Sequence, residues 1–271
     1  MTRRTLVLAF HSIARIRGVV VGLAVLLFAF QFLLTQVAAY LTRQRAFGEL
    51  SALVPDFVRS AAGPSALTFM SFTGIVSLGY FHPIVIGALV GLMIAIATEP
   101  AAEVETRFVD LTLARPVSRA AVIIRTLIVL SCAGAVIIGS MIVGTWTGLT
   151  CCVPSGVERP SFALTLSLAV TLASVTACWA GVALAMAAAA RRRVVAGAAA
   201  GVTAFGAYLL DYLGRAWEPA RPASVASPFH YFEPMALIAG QTLNVRNVAV
   251  LIVVGSAATA IAFVVFARRD I

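Results

Sequence analysis

Six apolar runs constrain this chain more than anything else in it, at 19–41, 81–98, 126–149, 162–190, 194–213 and 248–267. Each approaches or exceeds the ~20 residues that a helix needs to cross a bilayer. In lipid every backbone N–H and C=O has to be paired within the protein, which leaves helices or closed barrels as spanning structures. The alternating ten-residue strands of a membrane barrel are absent. The expected fold class is therefore all-α, a polytopic membrane protein with six transmembrane helices forming one domain over 1–271. Composition agrees, with 61% apolar and 11% charged residues. A soluble domain is nearer half apolar and a quarter charged. The first run is too long for a signal-peptide core and no clear small-x-small cleavage site follows it, so it is expected to be a retained span.

All 20 basic side chains are arginine, and the formal net charge is +9. In a membrane protein this excess reads as topology rather than as affinity for nucleic acid. Six spans place both termini on one side. That side collects Arg3, Arg4, Arg15, Arg17, Arg107, Arg115, Arg119, Arg125, Arg191, Arg192, Arg193, Arg268 and Arg269. The other side holds seven arginines against six acids. The positive-inside rule makes the arginine-rich side, with both termini, cytoplasmic, in a cell membrane.

Three connections carry further pattern. Residues 2–17 form a basic amphipathic segment, with Leu6, Phe10 and Ile13 at helical spacing, suited to lie in the headgroup layer. Residues 98–125 hold four of the eleven acids and four arginines between two spans. Here a helix is expected from Pro100 to Ala114. Val104, Phe108 and Leu111 share one face; Glu103, Thr106, Arg107 and Asp110 share the other. Pro116 stops the helix and Ser118 caps the next. The apolar face fits a protein groove or the bilayer surface equally well. Residues 227–240, rich in proline and aromatics, fit a re-entrant hairpin, and 65–80 fits either a re-entrant or a surface helix. Gln31 and Gln36 inside the first span read as helix-packing groups. GxxxG pairs at Gly18/Gly22, Gly87/Gly91, Gly144/Gly148 and Gly197/Gly201 suggest close helix contacts and, more weakly, a dimer face.

Several chemistries lack their residues. Without lysine there is no P-loop, so the chain cannot itself be a standard P-loop ATPase. There is no H-E-x-x-H and no G-x-S-x-G, and His11, His82 and His230 are far apart. The cysteines Cys132, Cys151, Cys152 and Cys178 show neither a C-x-x-C pair nor zinc spacing. No catalytic or metal residues are assigned. Acids sit at span ends rather than centres (Glu99, Asp211), which disfavours an ion-coupled carrier or channel. The missing catalytic constellation disfavours a membrane-embedded enzyme.

Between the second and third spans the sequence resembles the permease subunits of the type-2 ABC exporter family, in their short six-span form. The resemblance rests on Glu99, Glu103-Val104-Glu105 and Asp110-Leu111-Thr112-Leu113-Ala114-Arg115-Pro116-Val117-Ser118-Arg119. It extends to Leu78-Gly79-Tyr80-Phe81-His82-Pro83, to Ser227-Pro228-Phe229-His230-Tyr231-Phe232-Glu233-Pro234, and to the ending Phe266-Ala267-Arg268-Arg269-Asp270. Relatives often carry glycine-threonine where this chain has Arg107-Phe108. The resemblance implies that 100–114 is a coupling helix docked on a separate cytoplasmic ABC ATP-binding subunit. Glu99, Glu103, Val104, Glu105, Phe108, Asp110, Leu111, Arg115, Pro116, Ser118 and Arg119 would make that contact. It implies an elbow helix at 2–17 and an extracellular re-entrant gate at 227–240 carrying Pro228, Phe229, Tyr231, Phe232, Glu233 and Pro234. ATP and Mg would bind the partner subunit, with no cofactor in this chain, and a second permease subunit, identical or different, would complete the transporter. The substrate is not implied.

Overall fold

A computed structural model of the chain describes residues 3–44, 47, 70–106, 118–153, 157 and 159–268. Among these, every regular element is helical. α1 is Arg3–Arg43, α2 Phe72–Ser77, α3 Pro83–Ala97, α4 Glu99–Glu105, α5 Arg119–Cys152, α6 Phe162–Ala189, α7 Arg193–Ala216, α8 Arg221–Ser224, α9 Pro234–Ile238 and α10 Val245–Arg268. Three 3-10 turns, Leu78–Tyr80, Glu218–Ala220 and Pro228–Tyr231, lie between them. Six helices are long and apolar enough to cross a membrane: α1, the α2–α4 stretch built on α3, α5, α6, α7 and α10.

Local chemistry sets several of the boundaries. His82 caps α3 through Nδ1, which accepts from the Ile84 amide, and Pro83 takes the first helical position, where its missing N–H costs nothing. Ser118 and Ser161 do the same for α5 and α6, accepting from the Ala121 and Leu164 amides at 3.3 and 3.1 Å. Within the spans, the buried hydroxyls of Thr35, Thr126, Thr145, Thr171 and Thr176 donate to the carbonyl four residues back, which satisfies them inside the bundle.

Boundaries differ from the sequence reading in three places. The basic segment 2–17 and the first span are not separate elements, because α1 runs unbroken from Arg3 to Arg43. Gly18 is the only helix-weakening residue at the junction, and a single glycine costs only about 1 kcal/mol. The third span starts at Arg119, seven residues before the expected Thr126, because Ser118 fixes its first turn. The helix expected over 100–114 ends at Glu105. Thr106 caps it, its hydroxyl turned back onto the Ala102 carbonyl at 2.9 Å. Residues 107–117 lie outside the described residues.

Two close helix pairs frame the bundle. α1 and α5 run parallel. Ser140 Oγ donates to the Ala24 carbonyl at 2.9 Å, Gly144 sits on the backbone of Phe28, and Gly148 on Thr35. α6 and α10 also run parallel and touch where Gly181 meets Gly255. α6 is the central helix, with 72% of its most apolar stretch buried; α7 and α10 leave most of theirs at the surface. Of the four GxxxG pairs, Gly144/Gly148 therefore makes a close contact. Gly18/Gly22, Gly87/Gly91 and Gly197/Gly201 have open space where a Cβ would stand. Gln31 is fully buried against Gly79, a packing position as the sequence suggests, and neither amide atom has a hydrogen-bond partner among the described residues.

Candidate functional site

The short acidic helix α4 follows α3 at once and is held by the ends of the neighbouring spans. Its apolar side is small: Ala101 packs in a cluster with Ala187 of α6 and Ala196 of α7. Such small residues let the backbones approach and bring the acids within reach of helix starts. Glu103 Oε1 accepts from Arg125 Nη1 of α5 at 2.6 Å, with the two side chains 12% and 6% exposed. Glu99 Oε1 lies 3.6 Å from Arg193 Nη2 of α7. Arg193 Nη2 also donates to the Ala95 carbonyl of α3 at 3.0 Å. Glu105 Oε2 accepts from the backbone amide of Arg193 at 2.9 Å.

The last contact explains how α7 starts. Its own N-cap position, Arg192, offers no side-chain acceptor. Glu105 supplies one from another helix and places a negative charge at the positive end of the α7 dipole. Glu105→Ala is expected to lower stability by about 0.5–1 kcal/mol, read as a lower melting temperature of the purified protein. Glu105→Gln, which keeps an acceptor, should restore most of the loss.

These contacts decide where the expected contact residues point. Glu103 is bonded inside the bundle, and Val104 packs against the main apolar core. Val104, read from the sequence as sharing a face with Phe108 and Leu111, is half-buried on that side. Glu99 and Glu105 are also engaged by their own chain. Ser118 is a helix cap and Arg119 Nη1 donates to the Ala267 carbonyl of α10 at 3.2 Å. Phe108, Asp110, Leu111, Arg115 and Pro116 lie outside the described residues. A cavity of about 40 Å3 beside this cluster is lined by Ser12 and Arg15 of α1 with Glu99, Glu103 and Arg125. Arg125 and Arg193 were read from the sequence as topology signals only, and they are the two cations that organise the acids. A signal for this existed in the charge balance, since 98–125 holds as many acids as arginines.

The opposite end is built from residues 217–244, which turn back along α7. Ser227 Oγ donates to the carbonyl of Ala207 at 2.7 Å. Ala207 lies nine residues before the last residue of α7, Ala216, about 13 Å at 1.5 Å per residue. Phe229 stacks on Trp179 of α6 and meets Tyr208 of α7 edge-on, both with ring centroids 5.6 Å apart. Phe232 and Pro234 are buried, whereas Glu233 is exposed and accepts from Asn247 Nδ2 of α10 at 2.8 Å. Tyr231 donates to the Val225 carbonyl at 3.1 Å. Pro228 opens the 3-10 turn, and Gly240, at φ +89°, ends the stretch after α9 in a backbone region that favours glycine. Asp211 of α7, seen from the sequence only as a span-end acid, is paired with Arg215 at 2.9 Å.

Ser224, His230 and Asp211 come together here, yet they do not form a nucleophilic relay. Ser224 Oγ is 3.4 Å and Asp211 Oδ1 3.9 Å from the same ring atom, His230 Nδ1. A serine–histidine–aspartate relay uses the two opposite ring nitrogens. Among the described residues no three His, Cys, Asp or Glu side chains are grouped to hold a metal ion. Comparison of the chain with protein-family models, curated proteins and solved structures finds no match.

Proposed function

We propose that this chain is the membrane-spanning permease subunit of an ATP-driven exporter of the type-2 ABC kind. ATP and Mg bind a separate cytoplasmic ATP-binding subunit, and a second permease subunit, identical or different, completes the assembly. The arginine-rich end, with both termini, faces the cytoplasm. The basic first turns of α1 meet that surface as an unbroken extension of the first span, and the segment turning back along α7 serves as the outer re-entrant gate.

The observation that carries the reading is the attachment of α4. A charged helix of 7 residues is continuous with one span and joined through its three carboxylates to the second turn of α5 and the first residue of α7. Displacing it displaces α3, α5 and α7 together, which is what a coupling element has to do. The same attachment divides the labour within 98–125. Glu99, Glu103, Val104 and Glu105 transmit, and the ATPase contact falls to Phe108, Asp110, Leu111, Arg115 and Pro116, with Arg119 at its edge. The exposed faces of α7 and α10 leave room for the second permease subunit.

Co-purification tests this. Each ABC ATPase from the same genome, co-expressed with the tagged chain, is assayed for retention in detergent and for vanadate-sensitive ATP hydrolysis. One is expected to be retained, and Phe108→Asp should lower its retention at least about tenfold without affecting membrane insertion. If no ATPase is retained, the exporter reading fails. If Phe108→Asp retains it normally, the contact lies elsewhere.

One observation favours a second reading, an ion-coupled carrier. Asp211 is 7% exposed inside a span, and buried acids in spans mark ion paths. Transport that follows an ion gradient and persists without any ATPase would select that alternative.

A further inference from the structure

A cavity of about 520 Å3 lies at the end away from the arginine cluster, between the start of α3, the last turns of α7 and the segment that turns back along it. Aromatic side chains line much of it, among them Phe81, Tyr208 and Tyr212. Its ionisable residues are two carboxylates, Asp211 and Glu233, and one guanidinium, Arg215, a formal balance of −1.

Asp211 is the residue that asks for a ligand. Its Oδ2 accepts from Arg215 Nε at 2.9 Å. Its Oδ1 is buried and has no hydrogen-bond partner among the described residues, with His230 Nδ1 at 3.9 Å. A buried carboxylate left half-satisfied is unfavourable and attracts a cation. The two partners are held unequally. The Asp211 side chain is 10% exposed and that of Arg215 55%, so the anion is fixed while the resident cation reaches in from solvent. Glu233, steadied by Asn247, adds a second placed anion. Aromatic faces beside carboxylates are the setting in which proteins hold organic cations, because ring faces attract positive charge and rings accept the apolar body.

We propose that this cavity binds a lipophilic organic cation, an amine or quaternary ammonium with an apolar body. Its charge takes the place on Asp211 that Arg215 now holds, close to Glu233, and its body lies against the aromatic side chains. A free amphiphilic amine and the ammonium headgroup of a lipid share this chemistry. Binding needs this chain alone, so it stands or falls separately from the exporter reading.

Equilibrium binding of radiolabelled tetraphenylphosphonium to the purified full-length chain in detergent, with no ATPase present, is the test. Saturable binding at one site per chain is expected, weakened at least about tenfold by Glu233→Gln and by Asp211→Asn. Arg215→Gln, which vacates Asp211, should tighten binding severalfold, a gain that misfolding cannot imitate. No saturable binding, equal competition by neutral triphenylphosphine oxide, or unchanged or weaker binding in Arg215→Gln would overturn the proposal. Nanodiscs of phosphatidylethanolamine and of phosphatidylglycerol separate the two sources. Suppression of binding in the first alone assigns the site to the lipid ammonium, and equal binding in both assigns it to free cations.

Discussion

Arg125→Ala is expected to be among the most damaging single substitutions in the described part of the chain. Arg125 is 5% exposed and bonds Glu103, whose side chain is 12% exposed, at 2.6 Å. Removing one member of such a pair leaves a charge without compensation in a medium that solvates it poorly. The usual cost is about 3–5 kcal/mol. Glu103 Oε2 already lacks a partner, so losing Arg125 strips the carboxylate of its one resolved bond. The expected result is a large fall in the yield of monodisperse protein and in its melting temperature in detergent. Removing both charges should behave differently, because a buried ion pair replaced by apolar groups of similar volume is often neutral or stabilising. Glu103→Leu combined with Arg125→Met should therefore recover most of the lost stability. The pair also separates folding from function. If α4 transmits force through Glu103, the double variant is a folded protein with impaired transport. An Arg125→Ala variant as stable as the parent would show that the pair does not hold α4.

Gly181→Ala is expected to be comparably harmful, for a steric reason. A Cβ at position 181 would stand 2.3 Å from the Gly255 carbonyl oxygen, and one at position 255 would stand 2.9 Å from Cys178 Cα. These are backbone atoms of two long helices, so no side chain can rotate away; α6 and α10 have to part. Overpacking of this kind costs about 1–3 kcal/mol and sometimes more. Within a bilayer no hydrophobic gain offsets it, since helix association there depends on close packing itself. Gly197→Ala and Gly201→Ala are the matched controls. Neither Cβ would have a neighbour within 4 Å, and alanine has the higher helix propensity by about 1 kcal/mol, so stability should hold or rise. Thermal melts of the purified variants in one detergent compare them directly. Equal melting temperatures for Gly181→Ala and Gly197→Ala would mean that the α6–α10 contact is looser than its geometry.

The contrast between those glycines shows which features the sequence can and cannot disclose. The six spans are legible because crossing a bilayer depends on the length of one apolar run and on nothing else in the chain. The caps of α3 and α5 are legible for a similar reason: His82-Pro83 and Ser118 act on their own backbones. Helix partners are another matter. A GxxxG spacing reports a smooth stripe on one helix but says nothing about which helix faces it. Three such stripes are open, while the tightest glycine contact between two spans joins Gly181 and Gly255, which belong to none of them. The acidic helix was legible as charged and as helical at its start. That its acids bond to other helices required knowing that Arg125 and Arg193 arrive at the same end of the bundle. Thr106 closes it with its hydroxyl on the Ala102 carbonyl, a bond that threonines inside the long helices also make, so the residue type alone does not announce a stop.

The bonding of α4 also sets a schedule for biosynthesis. Glu103 waits for an arginine 22 residues downstream, and Glu105 for an amide 88 residues downstream. At a synthesis rate of about 5–20 residues per second, the second wait lasts roughly 4–18 s. Through that interval α7, which supplies the amide, is still unmade. Two long helices, α5 and α6, are completed before its last carboxylate finds a partner. A chain interrupted before Arg193 thus lacks the partner of both Glu99 and Glu105.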